Sequence, residues 1–120
     1  LDPLVVDQLS ECHFGEWENK TADELKGDEL FSKWLAGDMN VKPPRGESTA
    51  DFTRRICVMF ESIVNGLMQT GTTDAAIITH GGVIAAIMAE LYPNEWKNRY
   101  EWQPSPGYGY VISDGTYQQL

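Results

Sequence analysis

The stretch Ala75-Ala76-Ile77-Ile78-Thr79-His80-Gly81-Gly82-Val83-Ile84-Ala85-Ala86 constrains this chain more than any other. A short apolar run ends at a histidine. Two glycines follow, and then an apolar pattern at helical spacing. The order predicts a buried strand over 75–79, a tight turn, and a helix, with His80 at the strand's C-terminal end. In open α/β sheets, ligands sit in the crevice beyond such strand ends. The first turn of a helix presents unpaired N–H groups that favour an anion. Gly81 and Gly82 let the backbone approach it closely. The segment therefore predicts a histidine beside a phosphate-sized anion site. It also fits a plain turn whose histidine is only a satisfied polar group.

Two further segments bear on that choice. One is Leu9-Ser10-Glu11-Cys12-His13-Phe14-Gly15-Glu16-Trp17-Glu18, and the other is Pro44-Arg45-Gly46-Glu47-Ser48. With Thr79-His80-Gly81-Gly82 they form an ordered trio. In order, wording and approximate spacing, the trio resembles the histidine phosphatase superfamily, the phosphoglycerate-mutase-like fold. The resemblance runs from about Leu9 to the C-terminus.

The resemblance implies an α/β fold of three layers, a mostly parallel sheet with helices on both faces. Glu11 matches the acidic residue that protonates the leaving-group oxygen. His80 matches the second active-site histidine, which binds and polarises the phosphoryl group. Gly81 matches the residue whose backbone N–H contacts phosphoryl oxygens. Glu47 and Ser48 match the Gly-Glu-Ser motif at the pocket edge. No metal and no cofactor is implied, and the partner implied is a small phosphorylated substrate.

The departures shape the expectation equally. The family's nucleophile is a histidine in an Arg-His-Gly tripeptide at the end of the first strand. This chain has only His13 and His80 and no such tripeptide. The Ser-x-x-Arg segment that supplies a second phosphate-binding arginine is also absent. Residues 1–120 are thus expected to be the C-terminal portion of a single histidine phosphatase domain, its sheet incomplete without the first strand. Smaller departures are Asn19, where glycine is common, and Arg45, where glycine often sits.

The expected activity is metal-independent phosphomonoester hydrolysis through a phosphohistidine, carried out by an intact protein; the 120-residue chain alone is expected to be inactive. Phe14-Gly15-Glu16-Trp17-Glu18 after the acid looks like the phosphatase branch. Phosphoglycerate-mutase-type transfer is the alternative, as is a non-catalytic fragment or pseudoenzyme that binds a phosphorylated ligand. The partner expected for the chain itself is its own N-terminal segment, or a second copy.

Composition limits the remaining classes. The net charge is −9, and the first 30 residues hold nine acids against two bases. Such a surface repels nucleic acid, whose binding needs basic contacts to phosphates. No apolar run approaches the ~20 residues that span a bilayer. Hydrophobic residues make up 42%, enough to build a core. Cys12 and Cys57 make no disulfide framework, so reduced thiols and a cytoplasmic location are the default. Cys57 falls on an apolar helical face.

Glu11 and His13 could also ligate a metal, but transition-metal sites usually take three or four such ligands. Cys12 beside a histidine could be a thiol nucleophile, although no recognisable signature surrounds it.

The element pattern is readable along the chain. Leu4 to Leu9 reads as a weak strand or an extended entry. Thr21-Ala22-Asp23-Glu24 fits a capping box. Asp28 to Leu35 reads as a helix with Leu30, Phe31, Trp34 and Leu35 on its apolar side. Gly37 to Gly46 is loop. Ser48 opens the longest helix, with Phe52, Ile56, Met59, Phe60, Ile63, Val64 and Leu67 at three- and four-residue steps, and Gly71 ends it. Arg54 and Arg55 lie near its start; Arg55 could reach the pocket or form a structural ion pair. Val83, Ile84, Ile87, Met88 and Leu91 mark the next helix. Tyr92 to Trp102 reads as a surface excursion, and Tyr108 to Leu120 as a hairpin turning at Asp114-Gly115.

Overall fold

The computed structural model describes residues 3–95 and 97–120. Among the described residues are five α-helices and one hairpin: α1 (Ala22–Leu25), α2 (Glu29–Leu35), α3 (Thr49–Gln69), α4 (Gly81–Leu91), α5 (Arg99–Trp102), β1 (Tyr110–Ser113) and β2 (Thr116–Gln119). Short 3₁₀ turns cover Asp7–Leu9, Gly15–Trp17 and Pro93–Glu95.

Local chemistry sets the helix boundaries. The Thr21 hydroxyl accepts from the Glu24 amide and donates to its carboxylate, closing the capping box. Asp28 caps α2 by accepting from the Phe31 amide at 3.1 Å. Ser48 caps α3 by accepting from the Asp51 amide at 3.1 Å. At the far end of α3, Gly71 takes φ +69°. The Thr72 amide then reaches back to the Leu67 carbonyl, a Schellman-type stop. In the hairpin, Asp114 and Gly115 both have positive φ, as a type I′ turn requires. Tyr110 therefore pairs with Gln119, and Ser113 with Thr116.

Three apolar clusters hold these elements. In the first, Leu9 and Cys12 pack with Phe52 and Ile56 of α3 and with Val83, Ala86 and Ile87 of α4. In the second, Trp17, Leu25, Phe31 and Val41 gather under Phe14 and Trp34. Only Phe31 and Trp34 of α2 turn inward, whereas Leu30 and Leu35 are exposed. In the third, Trp102 is buried against Ala85 and Met88, with Tyr92, Tyr110 and Tyr117 around it. The excursion after α4 thus returns to the core at Trp102 instead of staying on the surface; Trp96 lies outside the described residues. Cys57, expected on an apolar face, is half-buried.

The segment expected as a buried strand differs most from expectation. Among the described residues, no strand pairs with residues 75–79, and Ile78 is 97% exposed. An apolar run becomes a buried strand only where neighbours take its N–H and C=O groups and helices cover its faces. Neither is supplied by the described residues, and their only paired strands are β1 and β2. The expected layers of a mostly parallel sheet are therefore not assembled among them. The chain also measures 51 × 29 × 25 Å, with a radius of gyration of 15.8 Å. A compact domain of this length would have about 13.6 Å.

Candidate active site

The segment Leu9–Cys12 is where the predicted site residues begin to meet. The Leu9 carbonyl accepts from the Thr79 hydroxyl at 3.0 Å, which fastens the first motif to the one containing His80. Two residues on, the Glu11 carboxylate accepts from its neighbour's amide, Cys12 N–H to Oε1 at 3.0 Å. Its other oxygen accepts from the Gly82 amide at 3.2 Å. A side chain from one end of the sequence thereby rests on the opening turn of α4, where unpaired N–H groups attract negative charge.

Gly82 has a specific reason to lack a side chain. A Cβ placed there would lie 2.5 Å from Glu11 Oε1. At Gly81, a Cβ would lie 3.0 Å from Gln103 Cγ and 3.1 Å from its amide nitrogen. Gln103 follows the buried Trp102 and covers this glycine. Gln103 meets Gly81 from a distant part of the chain, so no local signal in the sequence marked it.

His80 is the N-cap residue of α4 with extended backbone, and its side chain makes no capping hydrogen bond. Its imidazole is exposed at the mouth of the same turn. His80, Gly81, Gly82 and Glu11 therefore form one contiguous patch. The patch brings a carboxylate, an exposed imidazole and the first amides of α4 together.

The third motif is tied to the first through the backbone. The Glu47 amide donates to the His13 carbonyl at 2.7 Å, and the Glu16 amide to the Pro44 carbonyl at 2.8 Å. Gly15 and Gly46 make this approach possible: a Cβ would sit 2.2 Å from the Pro44 carbonyl oxygen in the first case and 2.7 Å from the His13 carbonyl oxygen in the second. Ser48, buried, is committed to capping α3.

Glu47 faces Arg55 one side chain away. The guanidinium grips both of its carboxylate oxygens, Nε to Oε2 and Nη2 to Oε1, each at 2.9 Å. The Arg55 guanidinium beside it holds the Glu47 carboxyl below its usual range, against the opposing effect of burial, and the His13 amide adds a further bond. The Glu47 carboxylate in turn raises the Arg55 pKa. The same arginine reaches the Gln8 and Ser10 carbonyls at 2.8 and 3.0 Å. The ion-pair role expected for Arg55 is present, together with contacts to the segment that carries Glu11.

Other concavities lie elsewhere. A cleft of about 370 Å³ between α3 and α4 is lined by residues including Cys57, Phe60, Glu61, Ile87 and Glu90. It contains none of the predicted site residues. Burial pushes the Cys57 thiol up from its ordinary pKa. Among the described residues, no three His, Cys, Asp or Glu side chains cluster as a metal site would require. No helix there is long and apolar enough to cross a membrane.

Known proteins resemble the chain both in sequence and in fold. The chain is 28% identical over 90 residues to the adenosylcobalamin/α-ribazole phosphatase of Salmonella typhimurium, covering 72% of this chain and 43% of that protein. It is 31% identical over 90 residues to the 2,3-bisphosphoglycerate-dependent phosphoglycerate mutase of Pseudoalteromonas atlantica, covering 72% and 39%. The crystal structure of the α-ribazole phosphatase from Shigella flexneri superposes with a TM-score of 0.69 at 22% identity, over 97% of this chain and 58% of that one. The chain thus spans less than half the length of these curated relatives. The family profile of the histidine phosphatase superfamily, branch 1, matches residues 1–112, and the chain belongs to that superfamily.

Proposed function

We propose that residues 1–120 carry the acid and part of the phosphate-binding half of a metal-independent phosphomonoesterase that works through a phosphohistidine. The observation that carries this reading is the Glu11 carboxylate on the Gly82 amide, at 3.2 Å, beside the exposed His80. The nucleophilic histidine would come from an Arg-His-Gly segment outside these residues, since neither His13 nor His80 occupies that place.

In the proposed reaction, the nucleophile's nitrogen attacks phosphorus and the bond to the leaving oxygen breaks. Glu11 gives that oxygen its proton. His80 and the Gly81 amide bear the charge on the phosphoryl oxygens. Water then attacks phosphorus, the P–N bond breaks, and Glu11 recovers a proton from the water. Positioning and electrostatics carry most of such a transfer. The substrate class is a small phosphomonoester, as the name of the Salmonella relative suggests. Phosphoglycerate-mutase-type transfer is the second reading, supported by the Pseudoalteromonas relative.

The same proposal gives residues 75–79 a partner. The solved relative is longer than this chain, which covers 58% of it. A strand from the protein's own N-terminal segment, or from a second copy, would pair with this run and complete a three-layer, mostly parallel sheet.

The test uses the intact enzyme. Glu11→Gln should slow turnover most for alkyl phosphates and least for aryl phosphates, which leave without protonation. His80→Ala should lower kcat by ~10²–10³, the usual effect of losing one preorganised charge-stabilising donor. Equal slowing of alkyl and aryl substrates by Glu11→Gln would remove the acid role.

A further inference from the structure

Arg55 makes more contacts with the acid's segment than an ion pair requires. Nη1 donates to the Gln8 carbonyl at 2.8 Å, the Ser10 carbonyl at 3.0 Å and the Ser10 hydroxyl at 3.3 Å. Nη2 donates to the Glu11 carbonyl at 3.4 Å. The other edge of the guanidinium holds the Glu47 carboxylate through two bonds of 2.9 Å. The guanidinium carbon also lies 5.4 Å from the Phe52 ring centre, one turn back on α3. Phe52 is buried, so the arginine projects from a rigid base.

The consequence is geometric. The segment 8–11 has a short 3₁₀ turn and no strand or helix to hold it. Its carbonyls need donors, and one side chain supplies three of them. Lysine could not do so, because a single ammonium lacks the planar fork that meets a carboxylate on one edge and carbonyls on the other. The backbone of Glu11 is thereby fixed at its carbonyl, while its carboxylate is fixed at Gly82.

We propose that Arg55 is the positioning residue for Glu11, holding its main chain so that the carboxylate rests on the first turn of α4. The proposal rests on the reading of Glu11 as the acid only for its functional meaning; the positioning itself is a property of the chain. Glu47 orients the guanidinium, and the Gln8, Ser10 and Glu11 carbonyls receive it. Arg55 touches no reacting atom in this arrangement.

The experiment compares NMR spectra of the 120-residue chain with and without Glu11→Gln, in each Arg55 and Glu47 background, following the Gly82 amide. With Arg55 in place, Glu11→Gln should move the Gly82 amide signal, because that amide bonds the Glu11 carboxylate. Arg55→Met should lose most of the response while the Ile56 and Val83 methyl signals keep their positions. Arg55→Lys should lose part of it. Glu47→Gln should keep most of it, because the guanidinium still reaches the carbonyls. A merely structural arginine would lower the melting temperature and leave the Gly82 response intact. A full response in folded Arg55→Met, or in Arg55→Lys where the methionine variant does not fold, overturns the proposal. So does a wild-type Gly82 amide indifferent to Glu11. Failure of the phosphatase reading would show separately, in the leaving-group dependence of Glu11→Gln.

Discussion

Glu11 and Gly82 stand 71 positions apart and meet through a hydrogen bond of 3.2 Å, carboxylate to helix amide. The contact is possible only because Gly82 has no Cβ, which would lie 2.5 Å from Glu11 Oε1. The obstructing atom is the end of a flexible side chain, so the helix need not move. Alanine is also the better helix former, by up to about 1 kcal/mol. Gly82→Ala should therefore leave the denaturation midpoint equal or higher while swinging Glu11 off α4. On the proposed reading of Glu11, the intact protein carrying this change should turn over alkyl phosphates more slowly while its stability is equal or higher. Unchanged turnover with alanine in place would mean that the carboxylate works from another position.

Much of the helical frame was legible from local chemistry. The Thr21–Glu24 box, the Ser48 cap, the Gly71 stop and the Asp114-Gly115 turn each depend on residues a few positions apart. Their structures follow from side-chain reach and backbone freedom alone. The run 75–79 was not legible in the same way. Its apolar character marks it for burial, but burial depends on neighbouring strands that no local pattern supplies. Trp102 was misjudged for a related reason: its partners Ala85 and Met88 come from α4 and Tyr117 from β2, both distant from it in sequence. Of the site, the motifs pointed to Glu11, His80 and the two glycines. The fork of Arg55 to the 8–11 carbonyls could not be read, because it depends on how α3 lies beside that segment.

The two positions where this chain departs from glycine share a conformation. Asn19 has φ +61° and Arg45 has φ +60°. Asparagine tolerates the left-handed region, whereas for other residues it costs roughly 1–2 kcal/mol. Arg45 also pairs with Glu16 at 3.7 Å, but its side chain is 86% exposed, and such pairs contribute little. Comparing Arg45→Gly with Arg45→Ala removes the ion pair from both. The glycine variant should be the more stable by about 1 kcal/mol in urea titrations. Equal midpoints would show that residue 45 does not hold the left-handed backbone in solution.

Glu47 makes stability depend on pH with a definite sign. Its carboxyl is held below the usual value of 4.5, first by the Arg55 hydrogen bonds and then by the His13 amide. A group whose folded pKa is depressed contributes stability above its unfolded pKa and loses it as pH falls through the folded value. The contribution should be complete above 4.5 and fade below it. Urea midpoints measured from pH 6 downward should fall more steeply below that point for the wild type than for Glu47→Gln. Parallel curves would mean that the Arg55–Glu47 pair is not formed in the folded state.

The exposed run at 75–79 should govern association. The chain exposes 8803 Å², whereas a compact monomer of its mass would expose about 6,500 Å². Part of the excess is apolar and continuous with backbone that no strand pairs among the described residues, with Ile78 97% exposed and Ile77 39%. An unpaired edge of that kind adds strands from whatever chain is available. The purified 120 residues should therefore run as a dimer or larger species in light scattering, or keep an N-terminal companion peptide, rather than as a lone chain of 13.5 kDa. Ile78→Asp should shift the population toward monomer, because a charge at that position opposes close strand pairing. It should do so without altering the melting of α3 and α4, whose shared core of Phe52, Ile56 and Val83 lies elsewhere. A wild-type monomer without a companion peptide would mean that the run folds back onto its own chain in solution, and the proposed pairing would be withdrawn.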